Sequence, residues 1–455
     1  MTIADKGAGR LAVISWALFD WAGQPFFTLI TTFVFAPYFA SALAASPAEG
    51  QALWGYATAA AGLAIAILAP VLGAVADATG HRKPWILAFS VPFAVACMML
   101  WYAEPGAPSA IAIALGAFAI ATLSIEFATV FNNAMMPDLV PPERIGRLSG
   151  AGWAAGYAGG LVSLVIALGF LAANPETGHT LLGLEPLFGL DPATREGDRA
   201  SGPFSALWYL VFVLPLFLFV PDAPKKARLG PAVRAGLGDL AATFRQARGN
   251  TVLFTFLIAH MIYKDGLVAL FAFGGIYAAG QLGWGSIQIG SFGILLTITG
   301  TIGAIIGGRL DDAYGPKAVL FGALGLLIIC GLGLISIDRD TVLFVIPAEP
   351  GTPGNLFGSL PEQLFLGLGA LIGAAAGPLQ AASRSLLVVL APREQMSQFF
   401  GLLALSGKVT SFLAPLSVSL MTVWSGSQAA GMSVILGFFA AGGFLLFLTR
   451  ENRAA

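Results

Sequence analysis

Twelve apolar runs, each near the roughly 20 residues a helix needs to cross a bilayer, follow one another along the chain with mostly short polar breaks between them. They cover residues 12 to 40, 52 to 76, 85 to 103, 109 to 135, 149 to 172, 205 to 221, 252 to 280, 286 to 310, 317 to 337, 362 to 390, 399 to 424 and 428 to 449. In lipid such a run must be helical, because a helix satisfies its own backbone N–H and C=O groups and an open strand does not. Composition agrees: 57% of the 455 residues are hydrophobic and 10% are charged. A soluble core has no room for that share of apolar side chains. The expected fold class is an all-α membrane protein with twelve transmembrane helices.

The breaks set the orientation, since Lys and Arg collect on the cytoplasmic side. Starting with the N-terminus inside, the inner segments carry Arg10, Arg82, Lys83, Arg144, Arg147, Lys225, Lys226, Arg245, Arg248, Arg309, Lys317 and Arg393, among others, whereas the outer ones carry only Arg195, Arg199 and Arg339. Both termini are therefore expected on the cytoplasmic side of the membrane. The first run is too long for a signal-peptide core and no small-residue cleavage site closes it, so the first span is expected to remain. The longest basic break, 221 to 250, divides the spans six and six, and its residues 235 to 248 read as an amphipathic surface helix. The expected domains are a six-helix half over 1–221, a cytoplasmic linker over 222–250 and a second half over 251–455. Cys97 and Cys330 stand in separate apolar runs and read as packing residues.

An internal repeat supports this division. Gly73, Asp77, Gly80 and Arg82 recur 235 positions later as Gly308, Asp312, Gly315 and Lys317, each set just after an even-numbered span. Pro142, Gly150 and Gly156 match Pro392, Gly401 and Gly407 at offsets of 250 to 251. The pattern G-x-x-x-D-x-x-G-x-[RK] resembles the inner loop between the second and third helices of major facilitator transporters, and its copy the loop between the eighth and ninth. Two parallel six-helix repeats fit that fold. In this reading Gly73, Gly80 and Gly315 permit tight turns and close packing, Asp77 and Asp312 face the end of a neighbouring helix, and Arg82, Lys83 and Lys317 hold the loops at the inner surface. These residues then latch or gate the bundle and do not bind solute.

Longer blocks narrow the resemblance. WALFDWAGQPF (16 to 26), MPDLVPPERIGRLSGAGWAAGYAGG (136 to 160), YKDGLVALFAFGGIYAAG (263 to 280) and GPLQAASRSLLVVLAPREQMSQFFGLLALSGKVTSFLAP (377 to 415) resemble the signature blocks of the vacuole-effluxer family, in a bacterial-type member. That branch of the major facilitator superfamily holds fungal vacuolar amino-acid exporters linked to autophagy. The resemblance implies the major facilitator fold and efflux of an amino acid or similar metabolite, coupled to protons. Where the family is expected to show Asn-Ser after D-W-A, this chain has Gly23 and Gln24, then Pro25; Lys264 stands where a small or amide residue is expected. These departures leave the solute open.

Ionised groups in a span are costly and usually face a cavity or a partner. Asp20, Glu126, Lys264, Asp265, Arg384 and Lys408 are such groups, with Asn132, Asn133, Gln380 and Ser383 as uncharged company. Asp20 lies about 15 Å into its helix at 1.5 Å per residue, near the midplane, and Asp265 is placed comparably in the seventh span. Each reads either as a proton carrier or as a lasting ion pair: Asp20 with Lys408, Asp265 with Lys264 or Arg384. Arg384 and Lys408 read as contacts for a solute carboxylate, or Arg384 as a structural partner of Glu126. The proton-coupling or substrate candidates are therefore Asp20, Gln24, Glu126, Asn133, Lys264, Asp265, Arg384 and Lys408.

Gly152, Gly156 and Gly160, and again Gly369, Gly373 and Gly377, form small-residue stripes suited to close helix packing within the chain, or to a dimer. His81, His179 and His260 are too dispersed for a metal site, and His260 reads as a packed, hydrogen-bonded side chain. No P-loop and no catalytic triad occurs. The expectation is a secondary transporter without cofactor or metal. It is expected to be a monomer that handles a small solute and protons, contacts membrane lipid and binds no nucleic acid. A membrane-embedded receptor or lipid-handling protein on the same bundle is the other reading.

Overall fold

The computed structural model describes residues 8–175, 177–227, 245, 248–284, 286–349 and 357–449. Thirteen named helices carry the fold: α1 (Arg10–Pro25), α2 (Pro47–Thr79), α3 (Lys83–Met99), α4 (Ala110–Ala134), α5 (Ile145–Ile166), α6 (Glu196–Phe219), α7 (Thr251–Leu282), α8 (Ser286–Tyr314), α9 (Pro316–Ile335), α10 (Leu360–Leu390), α11 (Met396–Ser406), α12 (Leu413–Ser425) and α13 (Gln428–Leu448). Several starts are capped from within. Ser46, Asn250 and Ser427 accept the N–H groups of Glu49, Leu253 and Ala430, and Ser359 forms a capping box with Glu362. The helix α3 is capped from a distance, because Asp222 accepts the N–H groups of Arg82 and Lys83.

Among the described residues, eleven helical segments are long and apolar enough to cross a membrane. Their outward faces carry large apolar side chains: Leu63, Leu218, Ile329 and Phe447 are 61%, 70%, 66% and 70% exposed. Such a surface is stable against lipid and not against water. The first span runs from Arg10 to Leu43, passing Pro25 and then loosening into π-helical turns at Phe26–Phe33 and Phe39–Leu43.

The eleventh span departs from the expected unbroken run over 399 to 424. It is split into α11 and α12 by turns at residues 407 to 412. Pro415 has no N–H for the Ser411 carbonyl four residues earlier and crowds it, while Gly407 is a poor helix former. Apolar composition alone conceals this break.

The helices form two compact units. One comprises Met1–Pro141, Ala155–Leu240 and Arg393–Gly401; the other comprises Pro142–Ala154, Ala241–Pro392 and Leu402–Ala455. The first turns of α5 therefore belong with the second unit, and those of α11 with the first. In the first unit α6 packs on α1 and α3, and α4 on α2 and α3. Phe26, Phe93 and Phe118 form its aromatic core with Tyr209, whose hydroxyl shares a 2.7 Å hydrogen bond with Ser90. In the second unit α10 packs on α8 and α9, and α13 on α7, α9 and α12. The amphipathic helix expected over 235 to 248 falls almost wholly outside the described residues.

Two loops rich in Gly, Pro and acidic residues complete the fold. One holds a short hairpin, Thr341–Val342 against Ile346–Pro347. In the other, Arg195 at the start of α6 has φ +57° and pairs with Asp198 at 2.6 Å, a hydrogen bond that raises the guanidinium pKa above its ordinary value.

Candidate functional site

The repeated loop builds the same device once in each unit. In the first, the Asp77 carboxylate accepts the N–H groups of Ser397 at 3.1 Å and Gln398 at 2.8 Å, at the start of α11. The second places Asp312 against the start of α5, where it accepts the Arg147 N–H at 3.1 Å and meets the Arg147 Nε at 2.7 Å. The positive end of each helix is thus met by a buried carboxylate from another helix.

Glycines make the approach possible. A Cβ on Gly73 would collide with the Ser397 carbonyl, and one on Gly401 would lie 2.5 Å from that of Ala69; in the second unit Gly150 presses on Ala304 and Gly308 on Gly146 in the same way. Gly80 and Gly315 close the two turns with φ +87° and +86°, a backbone region that disfavours other residues.

The copies differ in their cations. Arg82 lies beside Asp77 at 3.8 Å and binds Asp138 at 2.5 Å. Lys83 donates to the Phe217 carbonyl. Lys317 turns to the Thr449 carbonyl and lies 6.0 Å from the centre of the Phe321 ring. The second copy also has an unforeseen acid. Asp311, where the first copy has Ala76, is buried beside Ser385, and its Oδ2 has no hydrogen-bond partner among the described residues.

In the first unit Asp20 and Gln24 stand one turn apart on α1 and lie over the glycine stripe of α5. A Cβ at Gly156 would be 3.3 Å from the Gln24 Oε1 and 3.6 Å from the Asp20 Cβ, while one at Gly160 would meet Gln24 and Thr28. The stripe thus serves packing inside the chain. Gly23 lies against Ile125 of α4, the neighbour of Glu126. Glu126 is half-buried and Asn133 is buried two turns further along α4. Trp16 donates to the Asn132 carbonyl at 2.7 Å, fixing α1 to that end of α4.

In the second unit the polar side chains gather around Trp153. The Arg384 guanidinium lies 5.2 Å and the Lys264 ammonium 6.0 Å from the centre of its ring, cation–π distances. Arg384 is buried on α10 and donates to the Ser149 hydroxyl at 3.2 Å and carbonyl at 3.0 Å. Lys264 donates to Gln380 at 2.5 Å. One turn away on α7, His260 is hydrogen-bonded to Ser406 at 2.8 Å, the packed role expected of it, and Tyr263 to Ser383 at 2.8 Å.

Asp265 belongs elsewhere. It is 1% exposed and faces Thr410 in the break that also holds Lys408. The expected pairing of Asp265 with Lys264 or Arg384 is not formed. Consecutive helical residues do not face each other, so Lys264 points to Gln380 and Trp153, and Arg384 is turned to Ser149.

Comparison with known proteins places the chain. The model of a family described as "Vacuole effluxer Atg22 like" matches residues 51–147 and 142–455. The chain belongs to this family. An uncharacterized MFS-type transporter of Bacillus subtilis, YxiO, is 25% identical over 446 residues, covering 96% of this chain and 94% of that protein. Autophagy-related protein 22 of Yarrowia lipolytica is 23% identical over 304 residues, which span 60% of this chain and 45% of the fungal one. The chain thus spans less than half of that relative's length.

Among solved structures, the human organic anion transporter MFSD10 superposes with a TM-score of 0.70 at 18% identity, over 96% of this chain and 99% of that one. The proton:xylose symporter XylE gives 0.68 at 13%, over 97% and 94%. At such identities the likeness establishes the major facilitator fold and nothing of the solute. The chain is an integral membrane transporter of the vacuole-effluxer family, not an enzyme.

Trp153 and Ser149 went unmarked in the sequence, because a tryptophan and a serine in a glycine-rich helix read as packing. A signal was there: Ser149 and Trp153 lie four residues apart, on one face of α5, in the block that carries the family resemblance.

Proposed function

We propose that this vacuole-effluxer-family protein exports a small polar solute, an amino acid or related metabolite, across a bacterial inner membrane, by alternating access of its two halves and coupled to protons. One observation carries the reading: Lys264 and Arg384, two cations in membrane-spanning helices, flank the ring of Trp153. An anionic carboxylate suits that pair, the indole suits the apolar part of the solute, and Gln380, Tyr263 and Ser383 supply neutral hydrogen-bonding groups. Asp20 and Asp265 are the proton-coupling candidates, with Gln24, Glu126, Asn133 and Lys408 as further polar contacts. The Asp77 and Asp312 caps act as latches whose release accompanies each cycle, and the protein works as a monomer with both termini in the cytoplasm.

The test is flux in proteoliposomes under an imposed pH gradient, with amino acids and small carboxylates screened first by thermal shift. Gradient-dependent movement of one solute class is expected. Its absence across the panel would overturn the reading.

A further inference from the structure

The break in the eleventh span and the acid on α7 meet at one place, and neither is explained by helix packing. The Asp265 side chain is buried to 1% exposure, yet its Oδ1 has no hydrogen-bond partner among the described residues. The Thr410 hydroxyl beside it is likewise without a hydrogen-bond partner of ordinary geometry. An acceptor-only carboxylate left this way in a membrane protein is costly.

The break that carries Thr410 has unused backbone acceptors too. Within residues 407 to 412 the amides go from Gly407 to Leu403, from Lys408 and Val409 both to Leu405, and from Ser411 to Lys408. Among the described residues, no backbone amide therefore reaches the carbonyls of Ser406, Gly407 or Val409 through the break. The carbonyl end of α11, its negative pole, opens here as well.

We propose that Asp265, Thr410 and the carbonyls freed by the break form a binding site for a small monovalent cation, Na+, with H+ competing for the same carboxylate. Hard cations take oxygen ligands of these kinds, a carboxylate, a hydroxyl and backbone carbonyls. Interrupted membrane helices present unwound carbonyls and half-helix carbonyl ends to coupling ions. Two lysines stand near in sequence. Lys264 adjoins Asp265 but turns its ammonium to Gln380 and Trp153, and Lys408 lies within the break; His260 pairs with Ser406 on the neighbouring turn. Their repulsion weakens the hold on the ion, as an ion that must leave each cycle requires.

The inference rests on the transport reading for the ion's role, but binding is measured without transport. Equilibrium binding of radiolabelled Na+ to the purified full-length protein, with choline replacing other salts, is expected to be saturable and to fall as the carboxylate is protonated on acidification. Asp265→Asn should weaken binding at least about tenfold, and Thr410→Val about fivefold, the latter about 1 kcal/mol. Absence of saturable Na+ binding overturns the site, as does binding unchanged in both variants. If Asp265→Asn fails to fold, Thr410→Val decides. Solute flux driven by pH without Na+ binding removes this site and keeps the transport reading; Na+ binding without flux of any solute does the reverse.

Discussion

Asp312 holds Arg147 twice, accepting its backbone N–H at 3.1 Å and lying 2.7 Å from its Nε. The two contacts are unequal, because the Arg147 side chain is 64% exposed while that of Asp312 is 4% exposed. Solvent screens the guanidinium, and the helix start carries the interaction. Arg147→Ala is accordingly expected to cost less than about 1 kcal/mol, and Asp312→Ala about 1 to 2 kcal/mol as a lost cap. Thermal unfolding of the purified variants measures the difference; equal losses would contradict the assignment.

The matching change in the other unit is expected to be worse. Asp77→Ala removes the cap of α11 and also strips a carboxylate from Arg82, whose side chain is 9% exposed. Breaking such a pair costs about 3 to 5 kcal/mol when the remaining charge has no other partner, and Asp138 reduces that toward the lower end. The melting temperature should fall further for Asp77→Ala than for Asp312→Ala, with Asp77→Asn between them and wild type.

Glycine substitutions should sort by what a Cβ meets. Gly401→Ala sets its methyl 2.5 Å from the Ala69 carbonyl oxygen, and Gly150→Ala collides with that of Ala304. Each is expected to cost about 1 to 3 kcal/mol by overpacking. A Cβ at Gly322 meets nothing within 4 Å, so Gly322→Ala should be neutral or gain up to about 1 kcal/mol from helix propensity. Folded yield and melting temperature of the three variants give the comparison.

Arg384→Lys keeps the charge and loses the fork that reaches both the Ser149 hydroxyl and carbonyl. Transport in this variant should drop at least about tenfold, since one point charge does not replace a planar pair of donors. Trp153→Phe keeps an aromatic face with a weaker pull on cations, and its effect should be smaller and appear mainly in KM. A wild-type rate in Arg384→Lys would remove Arg384 from the solute site.

If Asp20 carries the coupled proton, Asp20→Asn abolishes accumulation driven by a pH gradient and leaves solute exchange across the membrane intact. Counterflow and gradient-driven uptake, measured on the same proteoliposomes, separate the two. Undiminished gradient-driven uptake would give Asp20 a structural role.

How far the sequence reveals this molecule depends on which atoms carry each feature. Spans are legible because lipid imposes one conformation on long apolar runs, and the two latch loops because Gly73, Asp77 and Gly80 recur as Gly308, Asp312 and Gly315. Their partners are not legible: Asp77 and Asp312 bind backbone amides, which every residue has, so Ser397, Gln398 and Arg147 bear no mark of being capped. The break at 407 to 412 is hidden for a different reason. Hydropathy does not register the missing N–H of Pro415, which was the visible clue. Asp265 stands out in the sequence as a charge within a span, but its direction does not, because a one-residue step along a helix turns a side chain by about 100°, away from the partners that proximity in sequence suggests.

The divided eleventh span also bears on how the chain crosses its membrane. Leu413–Ser425 has 13 residues, about 20 Å of helix at 1.5 Å per residue, against a hydrocarbon core of about 30 Å. Alone it is too short to be retained as a crossing segment, and it packs along α13. The crossing is therefore completed by α11 and the turns that precede α12, and a truncation before Gln428 removes the last helix together with the surface on which the second piece of the eleventh span packs.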